Sequence, residues 1–302
     1  MIKLIALDLD GTLAIDNHQV STLTREALDK LHQDGVEVVI ATGRRYRTTR
    51  YVIKNLGFEV FAVCNGGALV KAPDQTTVYR ESFSIIPILE IARELKLTLF
   101  AQRDAHQYGG ADFIIDSVPT WNEITSRHID INQDWCEDRD LIESNNEFMV
   151  AGCFGHEREL KVLADQIVNN HGNGYNTIIV PHLESNWFYC EISLGHIDKW
   201  YGLQKILSKL DLSPENVCAV GDQLNDMAMV TAAGGFVFGA MTFLVPRLFE
   251  VRMLGVSTDI AVTGALAAVV YALSLIHISE PTRPERIGGG GLRGRKKKGG
   301  GG

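Results

Sequence analysis

Cysteine is scarce in this 302-residue sequence: Cys64, Cys136, Cys153, Cys190 and Cys218 are scattered, with no close pair among them. That spacing excludes a C-x-x-C redox motif or a zinc ribbon, so the thiols read as reduced and mostly buried. Positive charge is also short. The chain carries 29 Lys/Arg against 37 Asp/Glu, a formal net charge of −8, and bulk charge therefore gives no footprint for nucleic acid or an anionic membrane. A small-molecule partner is the simpler expectation, and the sequence is silent on oligomeric state. The first nine residues are a short apolar run interrupted by Lys3 and Asp8, so no signal peptide or spanning helix is expected to start there. A cytoplasmic protein is the default. With 45% hydrophobic and 22% charged residues, the composition is that of a globular protein long enough for one large or two medium domains.

The last stretch departs from this composition. Beyond Leu273 no helical or strand period is visible, and glycine runs at 288–291 and 299–302 flank Lys296, Lys297 and Lys298. Such low-complexity material cannot pack a core. Residues 273–283 resemble the translation of a transposon-end sequencing adapter, so 274–302 is read as a disordered or artefactual tail. The alternative is a basic arm, Arg293 to Lys298, suited to an acidic partner. Setting 274–302 aside removes seven Lys/Arg and two Asp/Glu, which leaves 22 against 35 and a more acidic net −13.

The rest of the chain alternates. Residues 2–8 form an apolar run that ends in acidic residues and Gly11, the pattern of a buried strand opening into a functional loop. Residues 21–33 have a helical period, with Leu23, Ala27, Leu28 and Leu31 on one face and Ser21 or Thr22 as cap. A strand over 36–41, a helix to Asn55, a strand over 60–64 and a turn at Asn65-Gly66-Gly67 follow. Strands alternating with helices predict a parallel sheet with right-handed crossovers, an α/β fold. Between about 82 and 189 the alternation loosens into apolar runs at 97–101, 113–118, 148–154 and 177–180 with a helix near 157–169, which reads as an inserted α+β domain. It then resumes with a helix from about Tyr201 to Leu210 and a strand over 217–220.

Four constellations carry chemistry. Asp8-Leu9-Asp10-Gly11-Thr12 closes the first strand, and residues two apart on a strand share a side, so Asp8 and Asp10 converge where open α/β sheets bind ligands. One carboxylate can attack phosphorus while its neighbour handles protons; taken alone, the segment also suits an Asp capping a turn. Thr42-Gly43-Arg44 follows the second strand, where a hydroxyl and backbone N–H groups at a helix start can hold a phosphoryl oxygen or serve as a plain cap. Arg44 and Arg45 either reach the phosphate or are solvated. Lys199, preceded by Glu191-Ile-Ser, can neutralise charge between a phosphoryl group and the acidic cluster, though a lone lysine is usually a surface residue. Gly221-Asp222-Gln223-Leu224-Asn225-Asp226 ends another strand and brings two more carboxylates to the same edge. Hard oxygen ligands of this kind suit magnesium.

Taken in order on strand ends, the four segments resemble the motifs of haloacid dehalogenase-type hydrolases, over residues 1 to about 80 and 190–235. The resemblance implies a Rossmann-like core over 1–81 and 190–273 with an inserted cap over 82–189. It implies an aspartyl-phosphate on Asp8, Asp10 as general acid/base, phosphate contacts from Thr42, Gly43, Lys199 and Asn225, and support from Asp226. Magnesium would be held by Asp8, Asp222 and the backbone carbonyl of Asp10. The insert's size and placement, with Asn65-Gly66-Gly67 before it, resemble the type-two cap of the Cof-like subfamily. The implied activity is magnesium-dependent hydrolysis of small phosphomonoesters such as sugar phosphates. A phosphomutase and a non-catalytic module that binds phosphorylated metabolites are the alternatives. Arg103, His106, Tyr108, His182 and Trp187 are candidates to line the cap side of the pocket or to be buried or solvated there. The likeness weakens at 236–254, which is unusually apolar, and resumes at Val245-Pro246 and 255–259.

Overall fold

The computed structural model describes residues 1–14, 19–143, 148–182, 186–238 and 252–253. Residues 239–251 and 254 of the 236–254 departure, the remainder of the core division from 255 to 273 and the whole 274–302 tail lie outside the described residues.

Leu-Ile-Ala-Leu is buried on both sides and forms β1 (Leu4–Leu7), as a central parallel strand requires. Helix α1 (Thr22–Gln33) starts at Ser21, whose Oγ accepts a hydrogen bond from the Thr24 N–H at 3.1 Å. β2 (Glu37–Ala41), α2 (Tyr46–Leu56) and β3 (Phe61–Cys64) complete the first alternating run. The chain then turns back through a single helical turn at Asn65–Gly67 into antiparallel β4 (Leu69–Lys71) and β5 (Thr77–Arg80).

The insert contains α3 (Ile86–Glu94), β6 (Phe100–Gln102), α4 (Ala105–Tyr108), β7 (Phe113–Asp116), α5 (Glu123–Asn132), β8 (Cys136–Arg139), β9 (Val150–Gly155), α6 (Glu157–His171), β10 (Tyr175–Pro181) and β11 (Phe188–Leu194). Four of these strands match the sequence reading, while α3, α5, β8 and β11 do not announce themselves by period. The chain then resumes with α7 (Lys199–Leu210), β12 (Val217–Gly221), α8 (Met227–Ala232), β13 (Gly235–Phe238) and β14 (Arg252–Met253).

The first sheet has the order β14-β13-β12-β1-β2-β3-β4-β5, with β13 through β3 mutually parallel. The chain leaves β1 toward β2 on one side and returns to β12 on the other. The crevice beyond the carboxyl ends of β1 and β12 is thus a topological switch point, where doubly wound sheets bind ligands. Period-two alternation divides the core: Ile5, Leu7, Val38 and Ile40 pack with α1 and α2, and Leu4, Ala6, Val39 and Ala41 with α7 and α8.

The second sheet, β10-β11-β9-β6-β7-β8, is mixed and extends to Leu194, five residues past the 189 at which the sequence division ends the insert. One face, with Ala101, Ile114, Ala151, Cys153, Cys190 and Ile192, packs on α3 and α6. The other carries Phe100, Phe113, Ile115, Phe154 and Tyr189. The architecture is a Rossmann-like α/β core with an inserted α+β cap. No helix among the described residues is long and apolar enough to cross a membrane.

Candidate active site

Three loops meet beyond the switch point. The Gly11 backbone has φ +81°, a conformation that favours glycine, and a Cβ there would lie 2.6 Å from Asp222 Oδ2. The glycine lets the loop after β1 close on the loop after β12, and Thr12 Oγ1 donates to Asp222 Oδ1 at 2.9 Å across the join. Gly221 does the same for its own loop, since a Cβ would come within 2.5 Å of Asp226 Cγ.

At the centre is a buried charge network. Lys199 Nζ donates to Asp8 Oδ1 and Asp226 Oδ1, each at 2.6 Å, and lies 3.5 Å from Asn225 Oδ1. Asp226 Oδ2 accepts the backbone N–H groups of Asp222 and Gln223 at 3.1 and 3.0 Å. Burial pushes the Asp8 carboxyl well above the usual carboxylate range, with Lys199 opposing and Asp226 adding to the rise. Burial works to lower the Lys199 ammonium, but the Asp8 and Asp226 carboxylates outweigh it and hold the group firmly charged. Lys199 is the first residue of α7 rather than a residue before a helix at Tyr201, because Asp198 caps the helix by accepting from the Tyr201 N–H at 2.7 Å.

Asp8 Oδ2 is buried with no hydrogen-bond partner. Carboxylate oxygens of Asp8, Asp222 and Asp226 lie within 4.8 Å of one another, a hard-oxygen set that fits a divalent cation. The resemblance adds to Asp8 and Asp222 the backbone carbonyl of Asp10 rather than its carboxylate. The Asp10 carboxylate turns away to pair with Arg44, whose Nε donates to Asp10 Oδ2 at 2.8 Å, while its backbone oxygen accepts from Gln223 Nε2 at 3.5 Å. Asp226 joins the cluster in space although Lys199 already engages it.

Thr42 is buried after β2, and its hydroxyl accepts the Arg44 N–H at 3.1 Å. Helix α2 begins only at Tyr46, so Gly43 lies in the loop before the helix rather than at its first turn. Arg45 reaches toward the cap: it donates to Asn132 Oδ1 at 2.9 Å, lies 3.5 Å from Asp112 and rests over the Phe113 ring. Core and cap are further joined by Arg47–Asp112 at 2.9 Å, Lys71–Asp104 at 2.6 Å and Asn65–Gln102 at 2.7 Å.

The cap candidates divide. His106 meets Arg50 at 2.8 Å, at the core–cap boundary. Arg103 is engaged within the cap by the Ala111 carbonyl and Glu137, and Trp187 by Glu123 and the His156 ring. His182 packs edge-on against Phe154, and the side chain of Tyr108 lies outside those described. In the sequence Glu191 serves only to place Lys199. In the structure it is a half-buried carboxylate on β11, on the same face of the strand as Tyr189.

A family model for haloacid dehalogenase-like hydrolases matches residues 5–239. A Cronobacter sakazakii protein named HMP-PP phosphatase is 26% identical, with 84% of this chain and 91% of the relative covered. A Bacillus subtilis 5-amino-6-(5-phospho-D-ribitylamino)uracil phosphatase is 26% identical, with 77% and 82% covered. A solved structure from Thermotoga maritima shares the fold at TM-score 0.65 and 22% identity, covering 80% of this chain and 88% of that one. The buried Asp–Lys–Asp network at the switch point thus sits in a chain that belongs to the haloacid dehalogenase-like hydrolase family.

Proposed function

We propose that the chain is a magnesium-dependent phosphatase of the cytoplasm that hydrolyses small phosphomonoesters through an aspartyl-phosphate on Asp8. The observation that carries this reading is the state of Asp8: one oxygen is fixed by Lys199 and the other is buried without a partner. A structural aspartate would be expected to have both oxygens satisfied.

Lys199 orients the Asp8 carboxylate and keeps positive charge where the phosphoryl oxygens arrive, while Asp226 and Asn225 hold Lys199 in place. The Thr42 hydroxyl and the Gly43 backbone supply further contacts to those oxygens. Asp8, Asp222 and the backbone oxygen of Asp10 would hold the cation, which neutralises phosphoryl charge when bound. Attack by Asp8 on phosphorus forms the acyl phosphate and breaks the bond to the leaving alcohol, whose oxygen takes a proton from Asp10. Asp10 then removes a proton from the water that releases inorganic phosphate. For either step Asp10 must exchange its contact with Arg44 for one with the reacting oxygen. The cap over β1 and β12, whose division from the core we place near residues 81 and 194, shields the acyl phosphate from stray water.

Relatives named as phosphatases of phosphorylated small molecules support the reaction class. The test is inorganic phosphate release from a panel of phosphomonoesters with and without magnesium. Release that needs magnesium and no bisphosphate activator supports the phosphatase; turnover only with an activator favours the mutase, and binding without turnover favours the non-catalytic module.

A further inference from the structure

The turn Asn65-Gly66-Gly67 after β3 carries no step of the reaction proposed above, yet all three of its residues hold left-handed φ values, +51°, +63° and +116°. Asn65 pays for that conformation because it has a Cβ, though asparagine does so at less cost than most residues. The turn is tied on three sides. On the first, the Asn65 and Gly66 N–H groups donate to the Arg44 and Thr42 carbonyls at 3.0 and 3.2 Å and fix the loop after β2. On the second, a Cβ on Gly67 would lie 1.9 Å from the Asp198 carbonyl oxygen and 3.3 Å from the Lys199 nitrogen, so the turn rests directly against the start of α7. On the third, the Asn65 side chain crosses to the cap, where Nδ2 donates to Gln102 Oε1 at 2.7 Å.

Asparagine in a turn commonly bonds the backbone of its own turn and so steadies it locally. This side chain does not. It is 1% exposed, its Oδ1 is buried with no partner, and its hydrogen bond among the described residues goes to β6 of the cap. The amide thus joins the cap to a turn that grips the Thr42 loop on one side and the start of α7, with Lys199, on the other. Thr42 and Lys199 are the residues that the proposed reaction brings to the phosphoryl oxygens.

We propose that Asn65 is a positioning residue through which the cap sets the phosphate site: its bond to Gln102 fixes the turn, and the turn fixes the Thr42 loop and the first turn of α7 relative to each other. The assignment rests on the phosphatase reading above. A misplacement of about 1 Å caused far from the chemistry can cost about 10²-fold in rate. Because the phosphoryl group is common to every ester, the loss falls on kcat and is indifferent to the leaving alcohol.

The test compares the wild type with Asn65→Gly, which keeps the left-handed backbone, with Gln102→Ala, which leaves the turn intact, and with the double variant. The esters are p-nitrophenyl phosphate and glycerol 3-phosphate, whose leaving groups are unlike. Each single variant should lose about 10-fold or more in kcat on both esters, with KM within about threefold. The double variant should lose no more than the worse single one, since both changes remove the same bond. Losses that multiply in the double variant would make the two residues independent and overturn the assignment. A loss confined to one ester would make them substrate contacts, and a lower Tm with kcat unchanged would make the bond structural; either result overturns it too. Failure of the phosphatase reading looks different: the wild type hydrolyses neither ester, and the assignment falls with it.

Discussion

The core sheet gathers its buried charges at one edge, whereas the cap sheet pairs its own within the cap. At the carboxyl edge of the core sheet, Lys199 is satisfied by Asp8 and Asp226, and Asp226 by two backbone N–H groups, all before any ligand arrives. In the cap, buried Asp116 is held by Arg93 at 2.6 Å, and Glu191 on the other face of the sheet is half-buried. The difference teaches where each kind of work is done. On the proposed reading the core preorganises the groups that meet the phosphoryl group, whereas the paired charges of the cap hold the cap itself together.

The largest break in that comparison comes from Asp8→Asn, which keeps the shape but removes the proposed nucleophile. We expect kcat to fall by about 10⁴-fold or more on every ester tested, as measured by phosphate release. Lys199→Met comes next. It leaves Asp8 and Asp226 buried without their cation, and broken buried pairs cost about 3–5 kcal/mol, so a drop in Tm should accompany loss of turnover. Asp112→Ala acts at the boundary between the two regions, where Arg47 and Arg45 lose their carboxylate. Urea unfolding should show a loss of about 2 kcal/mol, with KM rising more than kcat falls.

The smallest effect sharpens the cap side. Burial pushes the Glu191 carboxyl up to about 7, against 4.5 for a free glutamate, with Lys199 pulling the other way. The folded chain therefore holds this proton longer than the unfolded chain does. Stability from this group is fully present below about 4.5 and is lost as pH rises toward 7. Tm measured across that window should decline less in Glu191→Gln than in the wild type.

The same contrast explains what was legible in the sequence. Asp8, Asp10, Asp222 and Asp226 stand in short segments at the ends of apolar strands, so local spacing predicts their convergence, and the structure brings Asp8, Asp222 and Asp226 within one cluster. The pairing of Asp10 with Arg44 was not legible, because it depends on how the loop after β2 folds back over the loop after β1. Strand β11 was obscured for a related reason. Tyr189, Cys190, Glu191, Ile192 and Ser193 alternate between two buried faces, one of them lined by polar groups, so the run shows no clean apolar-polar period. Glu191 thus reads as a marker for the coming lysine until the sheet pairing with β9 and β10 turns it toward the core. Helices α3 and α5 depend on packing against the cap sheet, which no local window contains.

The most direct test of the account is an acid quench during steady turnover with magnesium and a hydrolysed phosphomonoester, followed by peptide mass spectrometry. The account predicts one phosphoryl group, labile to base, on the peptide that contains Asp8, and none in Asp8→Asn. Turnover that continues with Asp8 unmodified, or with the phosphoryl group on another residue, would contradict it.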